Sequence, residues 1–78
     1  MNNQLIGRIT VDPDVMVGKP VVKGTRLTVE HILALLISGI SMDDILSDYP
    51  NLTKEDILAC LAFAKEALSN STFMPLNY

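Results

Sequence analysis

The spacing of apolar residues changes character along the chain. Arg8-Ile9-Thr10-Val11 alternates and is β-branched, as a strand with one wet face requires, and Asp12-Pro13-Asp14 ends it with turn chemistry. Pro20-Val21-Val22-Lys23 and Thr25-Arg26-Leu27 flank Gly24, a residue free to take the positive φ of a tight reversal. Residues 8–27 therefore read as a short β-hairpin.

From Thr28 the period becomes helical. Val29, Ile32, Leu33, Leu36 and Ile40 recur at the spacing that lines one helix face, with Thr28 as N-cap and Gly39 as a left-handed C-terminal cap. Ser41 opens a second, short helix with Ile45-Leu46 as its apolar contact, and Tyr49-Pro50-Asn51 stops it. Thr53-Lys54-Glu55-Asp56 caps a third helix running to about Leu68. Its expected core line is Ile57, Leu61, Ala64 and Leu68. With 100° per residue, Glu55, Ala59, Ala62, Phe63 and Glu66 then face outward. Residues 69–78 show no assignable period. The chain reads as a single, mainly α domain over residues 1–78. A hairpin arm (8–27) precedes a three-helix bundle (28–68) and a tail (69–78). Unequal helices with tight connections match a helix-turn-helix layout, and spacing alone does not separate that from other small three-helix bundles.

Composition sharpens this picture. At 78 residues with 49% apolar and 19% charged positions, the chain has ample material for collapse and is not a disordered polyelectrolyte. Chains this short bury only about 60–65% of their unfolded surface, so apolar side chains stay wet unless a second copy or a partner covers them. The single cysteine, Cys60, excludes an internal disulfide and multi-cysteine zinc sites. No signal peptide is expected from the first eight residues, and the longest apolar run, Ile32 to Ile37, falls far short of the ~20 residues that span a bilayer. A cytoplasmic location with no membrane contact is the expectation.

The net charge of −3 is unevenly distributed. Residues 1–27 carry Arg8, Lys19, Lys23 and Arg26 against Asp12 and Asp14, a net of +2, while the remainder carries a net of −5. A basic arm on an acidic body points to an anionic or polymeric partner at one end.

Several stretches together resemble a bacterial family. They are Asp12-Pro13, the block from Gly18 through Leu27, Val29 through Leu33, Gly39-Ile40-Ser41, and Tyr49-Pro50-Asn51-Leu52-Thr53. The family is domain of unknown function 433, described as predicted antitoxins of type II toxin–antitoxin pairs, and the similarity runs from about Arg8 to Glu66. The resemblance implies a homeodomain-like three-helix fold and a PIN-like ribonuclease toxin encoded alongside. Val17 stands where the family often has a second small residue, which makes the turn before Gly18 less tight. Thr28 stands where proline is common, one helix-start residue in place of another. The family supplies no catalytic residues to carry over.

Candidate chemistry is sparse. Gly18-Lys19 lacks the glycine and hydroxyl partners of a phosphate loop, since Pro13 and Pro20 occupy those places. In Gly24-Thr25-Arg26, the glycine serves backbone geometry and Arg26 serves an internal carboxylate in preference to an external anion. His31 and Cys60 have no partner at catalytic or ligand spacing, and Cys60 reads as a small buried hydrophobe. Asp44 and Asp48, four apart, read as a solvated acidic face. No catalytic residue, cofactor or metal is expected, and the chain reads as a non-enzyme.

A recognition helix presents Arg, Lys, Asn or Gln to base edges near its N-terminus. The third helix offers Lys54 followed by Glu55 and Asp56, which repel phosphates. Arg8, Lys19, Lys23, Arg26 and Lys54 are therefore the candidates for DNA contact, most of them on the hairpin. Its plainer alternative is a hairpin that ion-pairs with acidic helices of its own chain or a second copy. Leu35 and Ile37 off the first helical stripe, and Ala59, Ala62 and Phe63 on the third helix, are the candidates for a partner interface. The leading expectation is an antitoxin-like homodimer that neutralises a PIN-like toxin, with an associated role in regulating its own operon. The alternatives are a stand-alone helix-turn-helix DNA-binding regulator and an interaction module without nucleic-acid binding.

Overall fold

A computed structural model describes residues 3–69 of the chain. It is mainly α, with a two-stranded hairpin followed by helices. The order is α1 (Asn3–Ile6), β1 (Ile9–Val11), β2 (Pro20–Val22), α2 (Val29–Ile37), α3 (Met42–Asp48) and α4 (Lys54–Ser69). Strands β1 and β2 pair antiparallel, with Ile9 opposite Val22, Thr10 opposite Val21 and Val11 opposite Pro20. The chain then reverses at Gly24 (φ +81°) and returns along the far side of β2, where Val21 bridges Thr28. The tail read from the sequence lies, beyond Ser69, outside the described residues.

The helix boundaries follow local chemistry. Thr28 caps α2 by accepting a hydrogen bond from the His31 N–H at 3.0 Å. At the other end Gly39 (φ +90°) allows a paired closure, with Gly39 N–H donating to Leu36 O and Ile40 N–H to Leu35 O. Ser41 caps α3 through the Asp44 N–H at 3.1 Å. Helix α4 opens with a reciprocal box: Asp56 N–H donates to Thr53 Oγ1 at 3.2 Å, and Thr53 N–H donates to Asp56 Oδ2 at 2.9 Å.

The core joins Val22 of β2, Val29 and Ile32 of α2, Ile45 of α3, Leu52 of the following loop, and Ile57 and Cys60 of α4. The α2 stripe behaves as its spacing predicts: Val29 and Ile32 are buried, and Leu33, Leu36 and Ile40 pack against the core. Leu35 departs from expectation by packing there too, whereas Ile37 stays outside at 85% exposure.

Helix α4 is rotated from the expected phase. Leu61 and Leu68 are exposed, at 42% and 64%, while Asp56, Ala59 and Cys60 are buried and Phe63 packs against the core. At 100° per residue, the buried Ala59, Asp56, Cys60 and Ile57 span an arc of about 160°, and Phe63 falls within it. The cause is that α4 is covered from several directions. Helices α2 and α3 pack on it, and so do α1 and β1. Ala59 and Phe63 therefore do not form an outward patch. Helix α1 has no sequence signature, since four residues lie far below the ~12–15 that hold a helix alone; its packing on α4 sustains it.

Before β2 the chain makes one tight turn at Met16–Gly18, closed by Gly18 N–H to Val15 O at 3.1 Å and Lys19 N–H to Met16 O at 3.2 Å. Met16 (φ +49°), Val17 (φ +56°) and Gly18 (φ +78°) are all left-handed. The expectation of a looser turn at Val17 does not hold; the turn stays tight and Val17 carries the strain. A left-handed L-residue costs about 1–2 kcal/mol, and Val17, 93% exposed, gains no packing in exchange. Val17→Gly is therefore expected to stabilise the fold by about 1 kcal/mol, read as a raised midpoint in urea unfolding. A lowered midpoint would mean that the backbone at Val17 is not left-handed.

Candidate functional site

The four cations of residues 1–27 fall into two classes. Arg8 points inward, its Nη1 donating to Asp56 Oδ1 at 3.1 Å, and the carboxylate side chain is only 11% exposed. Lys19 pairs across the surface with Glu30, Nζ to Oε1 at 3.3 Å, both side chains being well exposed. These two candidates for DNA contact are engaged within their own chain, as the plainer reading of the hairpin holds. The buried position of Asp56 also corrects the view of α4 as opening on a repelling acidic turn. Only Glu55 of that pair faces solvent, beside exposed Lys54.

Lys23 and Arg26 differ. Both are exposed, and the side chain of neither makes a hydrogen bond or ion pair among the described residues. The internal carboxylate expected for Arg26 is absent there. The turn that carries them is well braced. Thr25 N–H and Oγ1–H both donate to Val22 O, at 3.0 and 2.8 Å, and Leu27 N–H donates to Thr25 Oγ1 at 3.0 Å. Val22 N–H closes on Leu27 O at 2.9 Å and Lys23 N–H on Arg8 O at 2.8 Å. A turn so cross-linked fixes the backbone from which its two cations project.

Arg26 stands between two hollows. One, of about 450 Å³, includes Thr10, Asp12 and Val21; the other, of about 300 Å³, includes Leu27, Tyr49 and Pro50. The second thus sets a guanidinium beside the apolar surfaces of Leu27, Tyr49 and Pro50, with Asp48 and Asn51 in the same lining. Tyr49 is fixed by His31, whose Nε2 lies 3.1 Å from the phenol oxygen with the rings edge to face at 6.0 Å. Periodicity does not reveal this pairing, because the partners are 18 residues apart, one on α2 and the other just past the end of α3.

Cys60 and His31 share no cleft. His31 is at the surface, whereas Cys60 is wholly buried, and burial, helped by the Asp56 charge, pushes its thiol up to about 11 from 9.0. A thiol so held is a poor nucleophile at neutral pH. Among the described residues no cluster of three or more His, Cys, Asp or Glu could hold a metal ion, and no helix is long and apolar enough to cross a membrane.

Two outcomes follow from this geometry. Asp56→Ala removes the acceptor of the Thr53 N–H, one half of the capping box, together with the partner of Arg8, and is expected to cost about 1–3 kcal/mol in urea unfolding. Glu55→Ala, at an exposed neighbour, should change stability by less than about 0.5 kcal/mol; equal effects would contradict the buried role of Asp56. For Cys60 the folded pKa lies above the unfolded one, so its stabilising effect is complete below pH 9 and is lost as pH rises toward 11. Cys60→Ala should flatten the fall in stability over that window, and an unchanged slope would count against a buried protonated thiol.

The matched segment of a family model, described as protein of unknown function (DUF433), is residues 9–64, from β1 to the middle of α4. The uncharacterized protein y4eO of Sinorhizobium fredii (strain NBRC 101917 / NGR234) is 35% identical over 57 residues. That alignment covers 73% of this chain and 26% of the relative, so the chain spans about a quarter of the relative's length. The crystal structure of a DUF433 member from Anabaena variabilis ATCC 29413 superposes with a TM-score of 0.76 at 27% identity, covering 86% of this chain and 66% of the other. The braced Gly24 turn, the capped helices and the core they enclose all lie inside the matched segment, and the chain belongs to the DUF433 family.

Proposed function

We propose that this chain is a non-enzymatic, antitoxin-like protein that binds and neutralises a PIN-like ribonuclease toxin, with the Lys23–Arg26 turn as its contact. The observation that carries the reading is the pair of unpartnered cations on a braced turn, one of them beside the apolar surfaces of Leu27, Tyr49 and Pro50. Occluding an acidic, metal-binding nuclease cleft requires a cation to enter it and an apolar anchor to hold it there. A preorganised turn meets that requirement without the ordering cost of a flexible one. The sequence resemblance to a family described as predicted antitoxins supports the same choice of partner.

The protein acts as a homodimer. Leu61 and Leu68, exposed along α4, and Ile37 at the end of α2 present the apolar surface that a second copy covers. Expressed with the nuclease encoded beside it, the chain should co-purify, suppress RNA cleavage and scatter light as more than its own 8.5 kDa. Lys23→Glu with Arg26→Glu should weaken inhibition at least about tenfold, equivalent to about 1.4 kcal/mol, with the unfolding midpoint unchanged. Inhibition untouched by the double substitution would refute the assignment of the turn. Tight, salt-sensitive operator binding by the chain alone, with no effect on the nuclease, would favour the stand-alone regulator.

A further inference from the structure

Strand β1 has one edge on β2 and the other open. The Lys23 N–H donates to Arg8 O at 2.8 Å, which continues the β1–β2 register and makes Arg8 and Lys23 a hydrogen-bonded pair. Antiparallel ladders alternate such pairs with non-bonded ones, so Thr10 bonds to Val21, and Ile9 and Val11 turn their N–H and C=O groups away from β2. The groups opposite agree with this. The Val22 N–H, across from Ile9, donates instead to Leu27 O at 2.9 Å, and Pro20, across from Val11, has no N–H. Among the described residues, no other hydrogen bond takes up the outward groups of Ile9 and Val11.

We propose that this open edge pairs with β1 of a second copy, antiparallel about a two-fold axis at Thr10, joining two hairpins into one continuous sheet. Three observations select that occupant. The first is register. Setting Ile9 opposite the partner's Val11 lets every outward N–H and C=O of both strands find a partner. The neighbouring registers set Gly7, outside the strand, opposite the partner's Val11, or Pro13, which lacks an N–H, opposite the partner's Ile9. The second is charge. In the same register Arg8 faces the partner's Asp12, and Asp12 faces the partner's Arg8, which are cross-strand pairs of opposite sign. Both residues are exposed. Arg8 spends only Nη1 on Asp56, and Asp12 only Oδ1 on the Asp14 N–H, so each keeps groups for the pair. The third is packing. Val11, 56% exposed, shares a face of β1 with Ile9, which packs against the core. The pairing lays Val11 beside the partner's Ile9 and prolongs that apolar face.

No charge or proline within Ile9–Val11 guards the edge, and only its three-residue length limits the contact. The pairing goes beyond the homodimer described above, whose apolar surface on α2 and α4 shares no residue with β1. It also leaves the Lys23–Arg26 turn outside the paired strands. Nuclease inhibition and edge pairing can therefore each fail alone.

Amide hydrogen exchange of the full chain, followed by NMR over a series of protein concentrations, reads the edge directly. The Ile9 and Val11 amides should be protected, and lose protection as dilution lowers the mass, while Thr10 stays protected by its bond to Val21. Val11→Pro removes an outward N–H and no bond within the hairpin. It should weaken association at least about tenfold in sedimentation equilibrium and expose the Ile9 amide, with the far-UV circular dichroism retained. Asp12→Asn keeps the oxygen that accepts the Asp14 N–H, and should weaken association at low salt and flatten its salt dependence. Ile9 and Val11 amides that exchange as freely as unpaired ones at every concentration would overturn the proposal, even where light scattering finds a dimer. Protection that persists while the mass falls, or that survives Val11→Pro at Ile9, would equally refute pairing with a second copy.

Discussion

The carboxylate of Asp56 ties the hairpin arm to the first turn of α4. One of its oxygens accepts the Thr53 N–H that would be orphaned before α4, and the other takes the Arg8 guanidinium. Arg8 is itself a junction: its N–H donates to Leu5 O in α1, and its carbonyl accepts the Lys23 N–H beyond β2. A nearly buried carboxylate is costly unless its oxygens are satisfied. Here both are, and among the described residues no buried side-chain polar atom lacks a partner. The hairpin arm is thereby anchored to the helix that the other elements pack against, and the Lys23–Arg26 turn has a fixed base.

That anchoring changes how the surface charge is understood. Summed over sequence, the arm is basic and α4 begins acidic. Folding cancels one charge of each sign between Arg8 and Asp56 and pairs Lys19 with Glu30. What stays unpartnered on the arm is a local feature of two residues, Lys23 and Arg26, and not a broad basic face. A field so small steers weakly over distances beyond the roughly 8–10 Å screening length of physiological salt. Its reach is therefore short, and any effect it has on an anion is felt at contact distance.

The parts legible in the sequence are those set by local chemistry. Thr28, Ser41 and Thr53 cap helices where their spacing places them, Gly24 and Gly39 take positive φ, and Val29 with Ile32 anchor the α2 stripe. What failed to show depends on contacts distant in sequence. Hydropathy favours Leu61 and Leu68 as core because they are large and aliphatic, and it cannot place Asp56 inside, because the Arg8 that satisfies it is 48 residues away. The rotation of α4 follows from that polar contact and from α1, an element too short to leave a periodic signal. The candidate site was half visible. Composition located the basic hairpin, and only the tertiary pairing separates its engaged cations from its unpartnered ones.

The rotation of α4 also moves the apolar surface that a small fold leaves for partners. Had Ile57, Leu61 and Leu68 faced inward together, the outward face would have been Ala59, Ala62 and Phe63, small residues suited to close helix approach. With Ala59 buried and Phe63 against the core, the exposed apolar residues of α4 are two leucines, which contribute area rather than intimacy of packing. Phe63 instead divides its surface between the core and a groove beside β2. A single helix thus serves three regions: Cys60 and Ile57 to the interior, Leu61 and Leu68 to solvent, and Ala64 with Ala67 to the groove. The phase of this one helix decides which of its apolar residues lie in the core and which lie at the surface.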